Sequence, residues 1–341
     1  MGISFCCIKT CNVRLTRMCK LVLLCVLVGV LPLLKLLVPA PLQQADSYYV
    51  FRLFIDKQEF PVEVESSRVN SRNISVQIDK NMIENHLLKM GHLPDKSMYE
   101  NDSLLLHFMP LMSPRDRVNL LITLETFVRI CEQENLTYFL WGGSLLGAYR
   151  HHGFIPWDDD FDIVMNGSDW RRIRSVLSHV EGYGLQAPGD NHWKFYKEDL
   201  LPVPEQLFTW PFLDIFFYRD DLTYMWALST SIKFELVNPI EDIFPLQLRA
   251  FEHLFVAVPC KMEEIVLLLY GVNDCYSPSC THKNGNPINS VYMPCQQLHS
   301  IFPFVFRQKD SNSGTVLETL KQGNRIFRNV SVPQQQCARR R

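Results

Sequence analysis

Hydrophobic and polar positions divide the chain into an apolar run near the start, a polar stretch and a densely patterned centre. Leu21 to Val38 is almost wholly apolar, broken only by Gly29, Pro32 and Lys35. That length approaches the roughly 20 residues needed to cross a hydrocarbon core. Lys35 stands near the far end, where a long side chain reaches the interface. Lys9, Arg14, Arg17 and Lys20 precede the run, and basic flanks tend to stay in the cytosol. The pattern predicts a cytosolic tail over 1–20, a transmembrane signal-anchor over 21–38 and the bulk of the chain in a lumen. The alternative is a cleaved signal peptide, for which Val38-Pro39-Ala40 is a poor cleavage site. Residues 39–112 show no long periodic run and read as a stem, with a strand predicted over 48–55.

At Ser113 the pattern changes. Ser113-Pro114-Arg115-Asp116 is a helix start: Ser caps, Pro suits the first turn and Asp favours the positive end. Apolar residues then recur at helical spacing from Val118 to Cys131, which predicts a helix to about Glu134. Short strands are predicted over 136–141 and 161–165, separated by a Gly142-Gly143-Ser144 turn and one or two helical turns over 145–150. Ser168-Asp169-Trp170 opens another helix, expected to end near Gly182. Further strands are predicted over 193–196, 212–218 and 255–258, and a last helix over 260–269 closed by Gly271. Strands alternating with helices imply an α/β domain with a mixed α+β sheet over 113–280. Beyond Cys275 the chain is rich in Pro, Asn, Ser and Gln. Residues 281–341 are therefore expected to form an irregular tail.

Charge and cysteine content sharpen this picture. With 34 basic against 36 acidic side chains, nothing suggests a nucleic-acid partner. Of the 11 cysteines, Cys131, Cys260, Cys275, Cys280, Cys295 and Cys337 follow the apolar run, an even number that permits disulfides in a lumen. Sequons at Asn73, Asn101, Asn135, Asn166 and Asn329 fit the same compartment.

The chemistry concentrates in WGGSLLGAYRHHGFIPWDDDFDIVM, Trp141 to Met165. Gly142-Gly143-Ser144 follows a strand and opens a helix, so backbone N–H groups and the helix dipole suit phosphate. In a strand, residues two apart share a face. Asp160 and Asp162 therefore point together while Phe161 packs behind them. Two converging carboxylates form a hard-oxygen site for Mg²⁺ or Mn²⁺. A calcium loop is disfavoured, because Ile163 stands where such a loop needs Gly. Arg150 offers a guanidinium fork for donor phosphate. Asp158 and Asp159 are helper acids. By alternation, Asp159 turns away from the pair. His151 and His152 read as ordinary loop histidines.

These residues resemble a known family. Gly142 to Ala148 with Arg150, then Gly153-Phe154-Ile155-Pro156-Trp157-Asp158-Asp159-Asp160 and Asp162, are similar to the signature of the LicD family. That family includes bacterial phosphocholine transferases, fukutin and fukutin-related protein. Asp242-Ile243-Phe244-Pro245-Leu246, Val258-Pro259 and Leu269-Tyr270-Gly271 resemble its C-terminal landmarks. The resemblance implies a nucleotidyltransferase-like fold. It implies transfer of a phospho-alcohol (ribitol phosphate, phosphocholine or similar) from a CDP-linked donor to a glycan or glycoprotein acceptor. Asp160 and Asp162 match the family's metal-binding pair. A third acid from a later strand is implied, and Asp214, apolar on both sides, is the candidate for third ligand or base. Together with the anchor, this implies a type II glycosylation enzyme of the Golgi or endoplasmic reticulum membrane. The rival is a non-catalytic relative that scaffolds a partner glycosyltransferase. Cys275, Cys280 and Cys295 are expected in disulfides, with zinc as the alternative the family suggests.

Overall fold

The computed structural model describes residues 48–49, 52–53, 60, 73–90, 102–310, 314–333 and 337. The 21–38 run and Asn101 lie outside the described residues. Among the described residues no helix is long and apolar enough to cross a membrane.

Helix α1 (Lys80–Met90) precedes the long helix α2 (Pro114–Gln133). The start of α2 follows its sequence: the Ser113 hydroxyl accepts from the Asp116 N–H at 3.2 Å, and the Asp116 carboxylate accepts from the Ser113 N–H at 3.1 Å. Strand β1 (Tyr138–Leu140) enters helix α3 (Gly142–His151), and β2 (Asp162–Asn166) follows the acidic run. Next come α4 (Trp170–Leu177), β3 (Tyr183–Gln186), β4 (His192–Lys197) and β5 (Phe212–Asp220). Strands β6 (Tyr224–Ala227) and β7 (Val237–Pro239) close the main sheet.

That sheet has seven strands, ordered β1-β2-β5-β4-β3, with β6 on β5 and β7 on β6. Only β2 and β5 run parallel, and their register sets Asp162 opposite Asp214. Helix α2 covers β4 and β5, and α1 covers α2. Phe127, Phe195 and Phe217 are fully buried on the α2 side of the sheet, and Phe139 is fully buried on its other face against Tyr218 and Phe244. A short helix α5 (Ile240–Ile243) leads to the hairpin β8 (Gln247–Phe251) and β9 (Leu254–Val258), and helix α6 (Met262–Leu269) lies against α3.

Several expectations change. Gly142-Gly143-Ser144 is the first turn of α3 rather than a separate turn. Helix α4 stops at Leu177, and a strand that the sequence reading did not contain, β3, follows. The stem is not merely a spacer where it is described. In α1, Ile83, Leu87 and Met90 bury one helical stripe, and Phe60 stacks on Trp170 at 5.3 Å between ring centroids. The expected irregular tail is corrected most. Strands β10 (Asp274–Tyr276) and β11 (Tyr292–Pro294) pair, and β12 (Phe304–Asp310), β13 (Thr315–Gln322) and β14 (Arg325–Pro333) form a three-stranded sheet. Polar composition hid that sheet, because its buried face is partly ionic. Glu318, buried, accepts from Arg307 Nε at 2.9 Å and lies 2.8 Å from His152 Nε2. His151 and His152 are accordingly buried joints rather than loop residues.

Most of the cysteines among the described residues pair. Disulfides join Cys260 to Cys337 and Cys275 to Cys295, Cys280 is also disulfide-bonded, and Cys131 is buried and free. These bonds consume the thiols on which the zinc alternative depended.

Candidate active site

The acidic run reaches the sheet at one end of β2. Arg117, buried in α2, donates to the Pro156 carbonyl at 3.0 Å and fixes the turn before the run. Strand geometry begins only at Asp162, so Asp160 lies just outside it. The pair converges nonetheless. Asp160, Asp162 and Asp214 each place a carboxylate oxygen within 4.8 Å of the others. Ser144 contributes differently from expectation: its hydroxyl accepts the Asp162 N–H at 2.8 Å and so pins the start of β2 to α3.

The glycines explain how α3 comes so close. Gly142 has φ +56°, and a Cβ there would lie 2.5 Å from Asp162 Oδ2. A Cβ on Gly143 would lie 2.9 Å from Asp158 Oδ2. Glycine therefore leaves the carboxylates open beside the N-terminus of a helix.

Arg150 already has protein partners. Eight residues along α3 place it about 12 Å beyond Gly142 at 1.5 Å per residue. It is buried, donates to His151 Nε2 at 3.1 Å and reaches the Asp274 carbonyl at 3.4 Å. Burial lowers its pKa to about 10. It braces the β10 hairpin, and the Asp158 charge beside Gly143 also acts on it.

The three carboxylates are not equivalent. Burial pushes Asp162 well above the usual carboxylate range, and the charges of Asp160, Asp214 and Asp158 push it further. Asp158 is raised well above its ordinary value by burial and by Asp160. For Asp214 burial acts upward too, but Lys194 and His192 outweigh it and hold the carboxyl below the usual range. His192 Nε2 is 2.7 Å from Asp214 Oδ1, and Lys194 Nζ pairs with the same oxygen. Both side chains come from β4, directly beside β5. Asp214 thus stays ionised and weakly basic, which suits a metal ligand better than a general base.

Asp159 joins a second group with Asp158 and His282 instead of the trio, although it lies before the strand, so alternation is not what turns it. His282 Nδ1 is 2.8 Å from Asp159 Oδ1, and Nε2 is 3.1 Å from Asp160 Oδ2. Burial opposes charge on this ring, but Asp160 and Asp159 outweigh it and raise its pKa well above the ordinary value.

Residues 135–261 match the family model described as LicD/FKTN/FKRP, nucleotidyltransferase domain. Residues 135–261, less than half of the chain, are thus similar to a LicD-family nucleotidyltransferase domain. Over 69 residues it is 47% identical to the lipopolysaccharide cholinephosphotransferase LicD of Haemophilus influenzae, covering 20% of this chain and 26% of that protein. It is 32% identical over 71 residues to an uncharacterized protein of Rickettsia prowazekii, covering 21% of this chain and 27% of that protein. The matches thus span about a quarter of the length of these two relatives. The matched segment contains every residue of the acidic trio, its glycines and both His192 and Lys194. It stops before His282, which comes from the segment after β10. His192, Lys194 and His282 escaped sequence reasoning because nothing in their spacing links them to the acidic run. Strand pairing and loop return bring them there.

The trio fits a small divalent cation: three hard oxygens converge, Gly142 lets the Asp162 carboxylate stand against the helix start, and like charges strain Asp162 without an ion. Adding Mn²⁺ to the protein at pH 7.5 is expected to raise its melting temperature. Because the pKa values of Asp160 and Asp162 are raised, protons compete with the ion already above the ordinary carboxylate range, so the rise should shrink by pH 5. Differential scanning fluorimetry at both pH values checks this, and an equal rise at both would contradict it.

Proposed function

We propose that the protein is a Mg²⁺- or Mn²⁺-dependent phosphotransferase that moves a phospho-alcohol from a CDP-linked donor to a glycan acceptor. The observation that carries this reading is the convergence of Asp160, Asp162 and Asp214 beside the glycine-opened start of α3. The similarity to a named cholinephosphotransferase supports phosphate-ester transfer over other chemistries.

A bound divalent ion would supply charge neutralisation on the transferred phosphate and the leaving nucleotide. Asp160, Asp162 and Asp214 are the residues that would hold it. Lys194 and His192 keep Asp214 ionised. Gly142 and Gly143 let the Asp162 and Asp158 carboxylates stand close against the positive end of α3. Ser144 keeps Asp162 in register with that helix end. The intact trio argues against the scaffold reading, since a scaffold has no need of crowded, half-buried carboxylates. The test is nucleotide release by the full chain with Mn²⁺ from CDP-ribitol, CDP-choline and CDP-glycerol. Release of CMP from one of them is expected; release from none, with or without glycan acceptor, would overturn the reading.

The proposed setting is a Golgi or endoplasmic reticulum membrane with the catalytic domain lumenal. The disulfides and the exposed sequons Asn73, Asn135 and Asn329 support it. Asn166 is a weaker acceptor, because it is half-buried and its amide N–H donates to Asp220 at 3.3 Å. Expressed in animal cells, the protein should resist carbonate extraction and shift on glycosidase digestion. The shift should persist in an Asn166→Gln variant and shrink in an Asn329→Gln variant. Release by carbonate with no glycosidase shift would refute the setting.

A further inference from the structure

The segment from Tyr276 to Lys283 lies against the acidic run. Trp157 Nε1 donates to the Tyr276 carbonyl at 2.9 Å. The Asp159 carboxylate, only 2% exposed, accepts the His282 backbone N–H at 3.2 and 3.0 Å on its two oxygens. It also accepts the Lys283 N–H at 3.4 Å and faces the His282 ring nitrogen Nδ1 at 2.8 Å. The Lys283 ammonium sits 4.7 Å from the Trp210 ring centroid, and Trp210 Nε1 donates to the Asp159 carbonyl at 3.3 Å. Asp159 is thus a buried anchor whose side-chain bonds go to two adjacent residues. Their effect is to set one ring: with Nδ1 fixed, His282 Nε2 stands 3.1 Å from Asp160 Oδ2.

We infer that His282 is a positioning residue for Asp160 and that Asp159 is the group that aims it. The inference rests on the proposal that Asp160 holds a divalent cation. An N–H on one oxygen of Asp160 stops the carboxylate from rotating and leaves the other oxygen for the ion. Such outer contacts commonly set metal affinity without touching the metal. They matter more here, because Asp162 and Asp214 would otherwise repel Asp160 out of place. The loop that delivers His282 is joined at its base by the Cys275–Cys295 disulfide and the β10–β11 pairing, so a device outside the matched family segment completes the site.

The test is equilibrium Mn²⁺ binding to the full chain, followed by the free-ion electron paramagnetic resonance signal. His282→Ala is expected to weaken binding about tenfold, the lower end of the range for loss of an outer-shell partner. His282→Gln, which keeps a donor, should recover most of that loss. Asp159→Asn should weaken binding similarly, and the Asp159→Asn/His282→Ala double variant should be no weaker than His282→Ala alone. If His282→Ala does not fold, His282→Leu, of similar bulk and without a donor, replaces it. Unchanged affinity without a donor at 282, or losses that multiply in the double variant, would overturn the inference while leaving the metal site standing. An unsubstituted protein that binds no Mn²⁺ would overturn the metal site and this inference together.

Discussion

Asp162→Asn is expected to abolish transfer, by at least about a hundredfold, while leaving the fold intact. Asparagine keeps the shape of the side chain and one carbonyl oxygen but removes a charge from the trio. The ion then loses much of its electrostatic hold, and the transition state loses the charge that offsets the transferred phosphate. Stability should hold or rise. Asp162 is raised well above the carboxylate range by burial and by its acidic neighbours, so its ionised form opposes folding. The sign follows: a carboxyl with a raised native pKa adds stability below its unfolded value and loses it as pH climbs through the native one. Removing the ionisable group removes that loss at neutral pH. Nucleotide release and thermal melting measured together check both halves. Near-normal turnover would make the metal assignment wrong. Asp159→Asn should cost much less turnover at saturating Mn²⁺, because Asp159 belongs to the His282 anchor and not to the trio. Equal losses would mean that the acidic run acts as one loop.

Gly142→Ala is expected to damage both stability and activity. Alanine at φ +56° costs about 1–2 kcal/mol in backbone strain alone. Its Cβ would also lie 2.5 Å from Asp162 Oδ2, so either the carboxylate or the start of α3 must shift. That displacement falls on the ligand that the Ser144 hydroxyl otherwise fixes at 2.8 Å through the Asp162 N–H. Loss of turnover should approach that of Asp162→Asn. Gly182→Ala separates the two causes: it has φ +78° and nothing within 4 Å of an added Cβ. It should lower the melting temperature through the same backbone strain and leave turnover intact. Equal activities in the two alanine variants would show that the close approach at Gly142 has no catalytic meaning.

The parts of the site that were legible in the sequence are those written locally. Asp160 and Asp162 flank an apolar residue at strand spacing, and Asp214 sits in an apolar strand that pairs with β2 in register. Ser113 and Pro114 mark the start of α2 because capping is decided within one helical turn. The illegible parts depend on distant returns of the chain. Lys194 and His192 matter because β4 lies antiparallel beside β5, a pairing that their own sequence does not announce. His282 arrives through a disulfide-closed hairpin in a stretch whose Pro, Asn and Ser content suggested no structure. The three-stranded sheet of β12–β14 escaped because it buries Glu318 with His152 and Arg307 instead of an apolar row.

The central claim is that Asp160, Asp162 and Asp214 form one metal centre. An anomalous difference map from crystals of the protein grown with Mn²⁺ tests it most directly. The expected result is a peak with oxygens of all three carboxylates within about 2.6 Å of it. A peak held by Asp158, Asp159 and His282 instead, or no peak at the trio in crystals saturated with Mn²⁺, would contradict it.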